Sequence, residues 1–368
     1  MDQLKASFLA RKDFCVLLEA LHQRGYHCIG PKERDGTIVF DELKTVDTLP
    51  KGAYDIQAPG QYQIEHKSTS DNFSYTTGPS ALKPLLFTSS ETLWQAKREA
   101  DGSISFTDQH SEAVPLAVIG VHACDIAALK LQDAHFLDSE YPDRFYHLRR
   151  ENLFLVAVNC SRSADTCFCV STGDGPQVQD GYDLALTELD DGFVVRAGSD
   201  SGEAIANNLP ATKITVLHLD QEKQRLTKAE EQQRSLPSHN LREFLFSNLD
   251  HPRWDNIAER CLSCGNCTSV CPTCFCYKED EQPALEGSSS IHYREWDSCF
   301  TQGHSYIHGK TVRADTKTRY RQWLTHKLGS WHDQYGRSGC VGCGRCITWC
   351  PVGIDITREV SLMSEAGE

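Results

Sequence analysis

The sequence predicts two domains: an α/β domain at residues 1–236 and an α-helical domain at residues 237–368 that carries most of the cysteines. A length of 368 residues is enough for two or three domains. Apolar strings of strand length alternate with helical periodicity in the first part of the chain. Eleven of the 17 cysteines lie between Cys261 and Cys350, so the second part has a different composition.

The α/β prediction rests on a strand–helix–strand pattern that begins at Pro115. Pro115–Val121 and Leu153–Val158 are continuous apolar runs of strand length, and the segment between them has helical periodicity. This order favours two parallel strands joined by a helix. A hairpin is expected where Asp190-Asp191-Gly192 separates two apolar segments.

The domain boundary is placed after a strongly polar segment. Asp220–Gln233 predicts an exposed helix or a linker, and Pro237 interrupts the pattern that follows. No internal repeat is visible apart from two similar cysteine motifs in the second domain.

Charge and composition exclude several functional classes. The net charge of −14 argues against a nucleic-acid partner. No apolar run approaches the roughly 18 residues of a membrane span, and the N-terminus lacks the apolar core of a signal peptide. We therefore expect a cytoplasmic protein in which disulfides do not persist, so that the cysteines serve metal or redox chemistry. No nucleotide motif and no catalytic nucleophile with its base is predicted.

Two segments share the spacing C-x2-C-x2-C-x3-C-P, which is typical of bacterial ferredoxins that bind [4Fe–4S] clusters. The first consists of Cys261, Cys264, Cys267 and Cys271, and the second of Cys340, Cys343, Cys346 and Cys350. Structural zinc is a poorer interpretation, because its ligands normally form two separated pairs.

The fourth cysteine of such a run usually ligates the other cluster. One cluster is therefore assigned to Cys261, Cys264, Cys267 and Cys350, and the other to Cys340, Cys343, Cys346 and Cys271. This crossing would hold the two clusters close together.

Four further cysteines follow the predicted parallel strands: Cys124, Cys160, Cys167 and Cys169. The carboxyl ends of parallel strands meet at one edge of a sheet, so these side chains are expected to converge there. A third [4Fe–4S] cluster is the main hypothesis, and zinc or inert buried thiols are the alternatives.

The remaining cysteines have no assigned ligand role. Cys274, Cys276 and Cys299 could hold another centre with an unknown fourth ligand, replace an assigned ligand, or pack beside the clusters. Cys15 and Cys28 are expected to be core residues.

The chain also resembles a known family. The long interval between Cys271 and Cys340, with a helical pattern at Thr316–Leu328, resembles the α-helical ferredoxin domains of larger respiratory and hydrogenase-type complexes. From about Pro115 to Pro351 the chain is similar to the beta (iron–sulfur) subunit of cytoplasmic sulfhydrogenases, which are nickel–iron hydrogenases that use NADP. The similar segments are GVHACDIAALKLQD, RFYHLRREN, CFC at 167–169, CLSCGNCTSVCPTCFCY, REWDSCF and CVGCGRC.

The resemblance implies an electron-transfer subunit. Its expected partners are the hydrogenase small and large subunits and a flavin/NAD(P)H-binding subunit. The related electron-input subunit of anaerobic sulfite reductase is similar over the same segments, and there the terminal partner is a sirohaem subunit. A different class would be a catalytic iron–sulfur subunit in which Cys274, Cys276 and Cys299 form a substrate-binding cluster.

Overall fold

The computed structural model describes residues 6–108 and 114–365. Residues 1–5, on which part of the signal-peptide prediction rests, lie outside the described residues, as do 109–113 and 366–368. The strands are β1 Ser7–Ala10, β2 His27–Arg34, β3 Thr37–Glu42, β4 Ala53–Ala58, β5 Gln61–His66, β6 Ser90–Arg98, β7 Ile104–Asp108, β8 Leu116–Val121, β9 Leu153–Val158, β10 Leu184–Glu188, β11 Gly192–Ala197, β12 Thr212–Lys213, β13 Tyr277–Pro283, β14 Ser289–Trp296, β15 Tyr306–Ile307 and β16 Lys310–Thr311.

The α-helices follow the same chain order. They are α1 Phe14–Gln23, α2 Lys83–Leu86, α3 Ala123–Phe136, α4 Arg144–Glu151, α5 Cys169–Thr172, α6 Asp200–Ala206, α7 Val216–Glu230, α8 Leu241–Ser247, α9 Arg253–Arg260, α10 Asn266–Ser269, α11 Thr316–Thr325, α12 Trp331–Tyr335, α13 Arg345–Thr348 and α14 Ile356–Glu365. A π-helical turn at His326–Ser330 joins α11 to α12.

The N-terminal part is built on an eight-stranded mixed sheet with the order β12-β1-β11-β10-β9-β8-β2-β3. The central strands β2, β8, β9 and β10 pair in parallel, and α3 and α4 lie between β8 and β9 in the chain. Strands β10 and β11 form an antiparallel hairpin. Because β8 and β9 run in the same direction, the residues that follow them emerge at the same edge of the sheet.

Helices cover both faces of this sheet. Alternate residues of β9 point to opposite sides: Val156 packs in a core that includes Leu17 of α1, whereas Leu155 packs in a core that includes Leu129 of α3. Burial on both faces explains why the central strands are continuous apolar runs rather than alternating ones.

The C-terminal part packs its helices around a separate aromatic core. Trp254 of α9 and Trp323 of α11 are buried there together with Val360 of α14. Phe168, from the loop before α5, is fully buried in the same core and so connects it to the N-terminal sheet.

A second, four-stranded sheet has the order β13-β14-β6-β7 and combines residues from both sides of position 236. Its β13–β14 hairpin lies within the segment that was predicted to be α-helical, so the C-terminal part is mixed and that prediction is corrected. Every residue of β13 is exposed, which explains why no buried-strand pattern marks it. The boundary at 236 stays a prediction.

None of the described helices is both long and apolar enough to cross a membrane.

Candidate metal centres

Each ferredoxin-type run forms a loop that leads into a short helix, α10 in the first run and α13 in the second. Gly342 and Gly344 of the second loop have φ angles of +63° and +75°. A Cβ atom would lie 2.5 Å from the Cys169 Cα atom at Gly342 and 2.4 Å from the Thr166 carbonyl oxygen at Gly344. Only glycine therefore permits this loop to pack against the segment that contains Cys167 and Cys169.

One cysteine-lined cavity, here called the surface cavity, opens to solvent. Its thiols come from Cys261, Cys264, Cys267 and Cys350, the set assigned to one cluster from the spacing, and Cys346 also borders it. Cys264 is exposed, and Leu262 and Val352 at its rim are 64% and 37% exposed. This cavity is thus accessible to a partner protein.

Two aromatic donors on the wall of the surface cavity have no acceptor. The Tyr320 hydroxyl group and the Trp323 indole N–H are buried and make no hydrogen bond to the described residues. An unpaired buried donor is costly, so such groups normally indicate a missing acceptor. Cluster sulfurs accept hydrogen bonds from their surroundings, and the donor set therefore fits a [4Fe–4S] cluster.

The second, or inner, cavity is lined by the other predicted set: Cys271, Cys340, Cys343 and Cys346. None of its lining residues is exposed. The ammonium group of Lys327 also lines it and donates a 2.6 Å hydrogen bond to the Thr273 hydroxyl group. Burial alone would lower the pKa of Lys327, but the adjacent Cys271 and Cys274 thiols raise it well above its usual value, so the side chain stays charged.

The π-helical turn explains how a lysine reaches this position. Lys327 is only 3% exposed, although it lies between two surface helices. A π turn inserts an extra residue and so changes the direction of the side chain, a device that is often found at functional sites.

The N-terminal cysteine group consists of Cys124, Cys160, Cys167 and Cys169. Cys124 lies in the first turn of α3, Cys160 follows β9, and Cys169 begins α5. Burial raises the pKa of all four thiols, in the case of Cys169 to about 11. They are therefore neutral unless a metal binds them.

The N-terminal cysteine group adjoins the inner cavity. Cys124 and Cys169 pack in one buried cluster with Cys343. The Gln232 side-chain amide donates a 3.2 Å hydrogen bond to the Cys169 sulfur, and the His122 ring nitrogen Nδ1 lies 3.6 Å from the Cys160 sulfur. The structure thus brings the predicted third group beside the second ferredoxin-type run.

A buried ion pair joins the two groups of cysteines. The guanidinium group of Arg345 lies 2.7 Å from the Asp125 carboxylate, and the two residues are 1% and 2% exposed. Arg345 Nε also donates a 2.8 Å hydrogen bond to the Gly78 carbonyl oxygen. Asp125 lies in the first turn of α3, and no sequence signal indicated its partner.

The remaining cysteines lie at the base of the β13–β14 hairpin. Cys274, Cys276 and Cys299 line a third cavity, which also contains Lys327. His304 lies close to two of these thiols; no motif in the sequence distinguished it from the other histidines.

The last two cysteines lie in the N-terminal part. Cys28 is buried, and burial raises its pKa to about 12, whereas Cys15 is half-buried on α1.

Comparisons with known proteins identify the family. Residues 260–354 match the model of a 4Fe-4S dicluster domain. The chain is 35% identical over 349 residues to sulfhydrogenase 2 subunit beta of Pyrococcus furiosus, covering 92% of each chain. The chain belongs to the sulfhydrogenase beta subunit family. No solved structure matches it.

Family membership and the dicluster match together define the cofactor class. The chain is an iron–sulfur subunit that carries [4Fe–4S] clusters, which implies a role in electron transfer. The cysteine spacing, the unpaired aromatic donors and the buried lysine are all consistent with that cofactor.

Proposed function

We propose that the chain relays electrons from a flavin/NAD(P)H-binding subunit to the small and large subunits of a nickel–iron hydrogenase, or in the reverse direction. The observation that carries this proposal is the arrangement of two adjacent cavities, each lined by one predicted four-cysteine set, that share Cys346 and Trp323. The surface cavity has exposed residues at its rim, whereas none of the residues that line the inner cavity is exposed. This difference is expected for an electron path that begins at the protein surface and continues inside.

The ligand sets follow the cavities. Cys261, Cys264, Cys267 and Cys350 would hold the first [4Fe–4S] cluster, and Cys271, Cys340, Cys343 and Cys346 the second. When bound, these groups supply one-electron redox chemistry. Because the cavities share a cysteine and an aromatic wall, a short separation between the two centres is expected.

We extend the path to a third centre at Cys124, Cys160, Cys167 and Cys169. Cys124 and Cys169 pack with Cys343, so the group lies directly beside the inner cavity. The buried Arg345 guanidinium supplies positive charge between them, which offsets the negative charge of thiolate ligands.

In this proposal the protein binds the clusters, shields them from water and adjusts their reduction potentials. Trp323, Phe168 and Ile356 line the inner cavity and exclude water from it. Lys327 and the hydrogen-bond donors of Tyr320 and Trp323 stabilise negative charge where it accumulates. The exposed apolar rim of the surface cavity offers a contact for a partner protein.

The sulfhydrogenase relative favours a hydrogenase module, rather than a sirohaem subunit, as the terminal partner. We place the complex in the cytoplasm, because 17 unpaired thiols are consistent with a reducing compartment.

Subunit omission tests the proposal. The hydrogenase module is purified separately from the flavin subunit, and NAD(P)H-driven hydrogen formation is measured with and without this chain. We expect hydrogen formation only when all three components are present, and no turnover by the isolated chain. Hydrogen formation by this chain alone, or by the other subunits without it, would contradict the proposal.

The matched controls use the same holoprotein. Cys15→Ser changes a thiol outside every proposed ligand set and should leave the transfer rate unchanged. Cys264→Ser alters the exposed ligand of the surface cavity and should lower the rate, while the hydrogenase module remains active with an artificial dye.

A further inference from the structure

The open end of the β13–β14 hairpin brings together two segments that are distant in sequence. Tyr277 pairs with Trp296 in the antiparallel register, so Cys276 and Asp297 lie side by side just beyond the strands. The Asp297 backbone N–H donates a 2.9 Å hydrogen bond to the Cys276 carbonyl oxygen. This register aligns Cys276 with the segment that carries Cys299 and His304.

Three potential ligands meet at this end of the hairpin. The Cys276 and Cys299 sulfurs and a ring nitrogen of His304 all lie within 4.8 Å of one another. Across residues 6–108 and 114–365, no other set of three or more Cys, His, Asp or Glu side chains meets this limit. Tetrahedral zinc, with bonds of about 2.3 Å to sulfur and about 2.0 Å to nitrogen, needs ligands roughly 4 Å apart, so the grouping is close to that geometry.

The same distances distinguish this group from the cluster ligands. A cubane binds each thiolate to a different iron, so its ligands are more widely spaced than those of a single ion. The cysteines of the surface and inner cavities surround their cavities without forming so tight a group. The hairpin group therefore fits a single ion better than a cluster.

His304 is oriented as a metal ligand would be. Its Nδ1 atom lies 2.5 Å from the Asp297 carboxylate, which leaves Nε2 available to a metal. A carboxylate on the far nitrogen of a ligating histidine is a common feature of zinc sites, because it sets the ring orientation and increases ligand basicity.

The sequence order of the three ligands suits one ion. Cys276 directly precedes the hairpin, and Cys299 and His304 follow it with the spacing Cys-x4-His. Cys274 lines the neighbouring cavity but lies outside this close group of three.

We propose that Cys276, Cys299 and His304 bind one Zn²⁺ ion that fixes the base of the β13–β14 hairpin, with a solvent molecule in the fourth position. The ion ties the start of β13 to the segment that follows β14. Zinc has no redox chemistry, so this site adds structure and not a further step of electron transfer.

Metal analysis of the purified holoprotein tests this site. Zinc and iron are quantified per chain in the wild type and in the Cys299→Ser and His304→Gln variants, with Cys15→Ser as a thiol control. We expect about one zinc per chain in the wild type and the control. Both site variants should lose that zinc and retain the iron of the wild type. His304→Gln changes a half-buried side chain, so it keeps the test informative if Cys299→Ser fails to fold.

Cobalt provides an independent measurement. Protein produced with Co²⁺ in place of zinc should show the absorption of tetrahedral thiolate-bound cobalt, and His304→Gln should alter that spectrum. Absence of zinc from an iron-replete wild-type chain, retention of zinc in both variants, or a loss of iron in place of zinc would each overturn the proposal. All of these outcomes are independent of electron transfer through the relay.

Discussion

The surface and inner cavities each contain one of the predicted four-cysteine sets, but their surroundings differ. The surface cavity has exposed residues at its rim, and no charged side chain lines it among the described residues. The inner cavity has no exposed wall and contains the buried ammonium group of Lys327, with the Arg345–Asp125 pair close by. Similar sequence motifs thus lie in different electrostatic environments.

This difference gives the two ligand sets different tasks. The surface cavity stabilises negative charge with neutral donors and with solvent, and a partner can reach it. The inner cavity relies on buried cations, whose effect is larger because the local dielectric constant is low. The inner site should therefore be the more sensitive to mutation, both in stability and in reduction potential.

The largest effect is expected from replacing one ligand in each cavity. Cys343→Ser should lose about four irons per chain and also lower the temperature of thermal unfolding, because Cys343 packs against Cys124 of α3 and Cys169 of α5. Cys264→Ser should lose about four irons with little change in thermal unfolding, because its side chain is exposed. Iron analysis and thermal unfolding of the two holoproteins check this, and equal loss of stability would remove the distinction between the cavities.

The buried ion pair gives the next largest effect. Arg345→Met leaves the Asp125 carboxylate buried without a partner, which should lower the free energy of unfolding by about 3–5 kcal/mol. The double variant Arg345→Met/Asp125→Asn should recover part of that loss. Denaturant unfolding of the wild type, the single variants Arg345→Met and Asp125→Asn, and the double variant measures the coupling. A double variant destabilised by the sum of the two single effects would contradict the assignment.

A smaller effect is expected on the reduction potential. Lys327→Met removes a positive charge beside the cysteines of the inner cavity. The reduced state of the inner cluster should therefore become less stable, and its midpoint potential should fall by tens of millivolts. The potential of the surface centre should change much less. Lys317→Met serves as the control, because Lys317 of α11 pairs with Asp255 at the surface. Both potentials are measured in a redox titration followed by electron paramagnetic resonance. Equal shifts of the midpoint potential at both clusters would contradict a local effect, and would show that Lys327 acts only through the net charge of the protein.

Many of the candidate cluster ligands could be predicted from the sequence, because their spacing is a local property of the chain. The runs at Cys261 and Cys340 indicate three ligands each without any knowledge of the fold, and the family match supports the cofactor. The packing of Cys124 and Cys169 with Cys343 also agrees with the expectation that the strand ends converge.

Contacts between residues that are far apart in the sequence could not be predicted from local spacing. Asp125 and Arg345 are 220 positions apart, and nothing in either motif indicates the other. Lys327 reaches the inner cavity only because a π turn redirects it, and helical periodicity does not encode such a turn. The β13 strand has no buried face, so its polar sequence carries no strand signal and the position of His304 beside it could not be foreseen.

The relay itself is tested most directly by rapid mixing of the complete complex with NAD(P)H. The absorbance of the clusters bound to this chain is followed together with hydrogen formation. We expect the clusters to be reduced before hydrogen appears, and to be reoxidised when NAD(P)H is exhausted. Hydrogen formation while the clusters of this chain stay oxidised would contradict the relay.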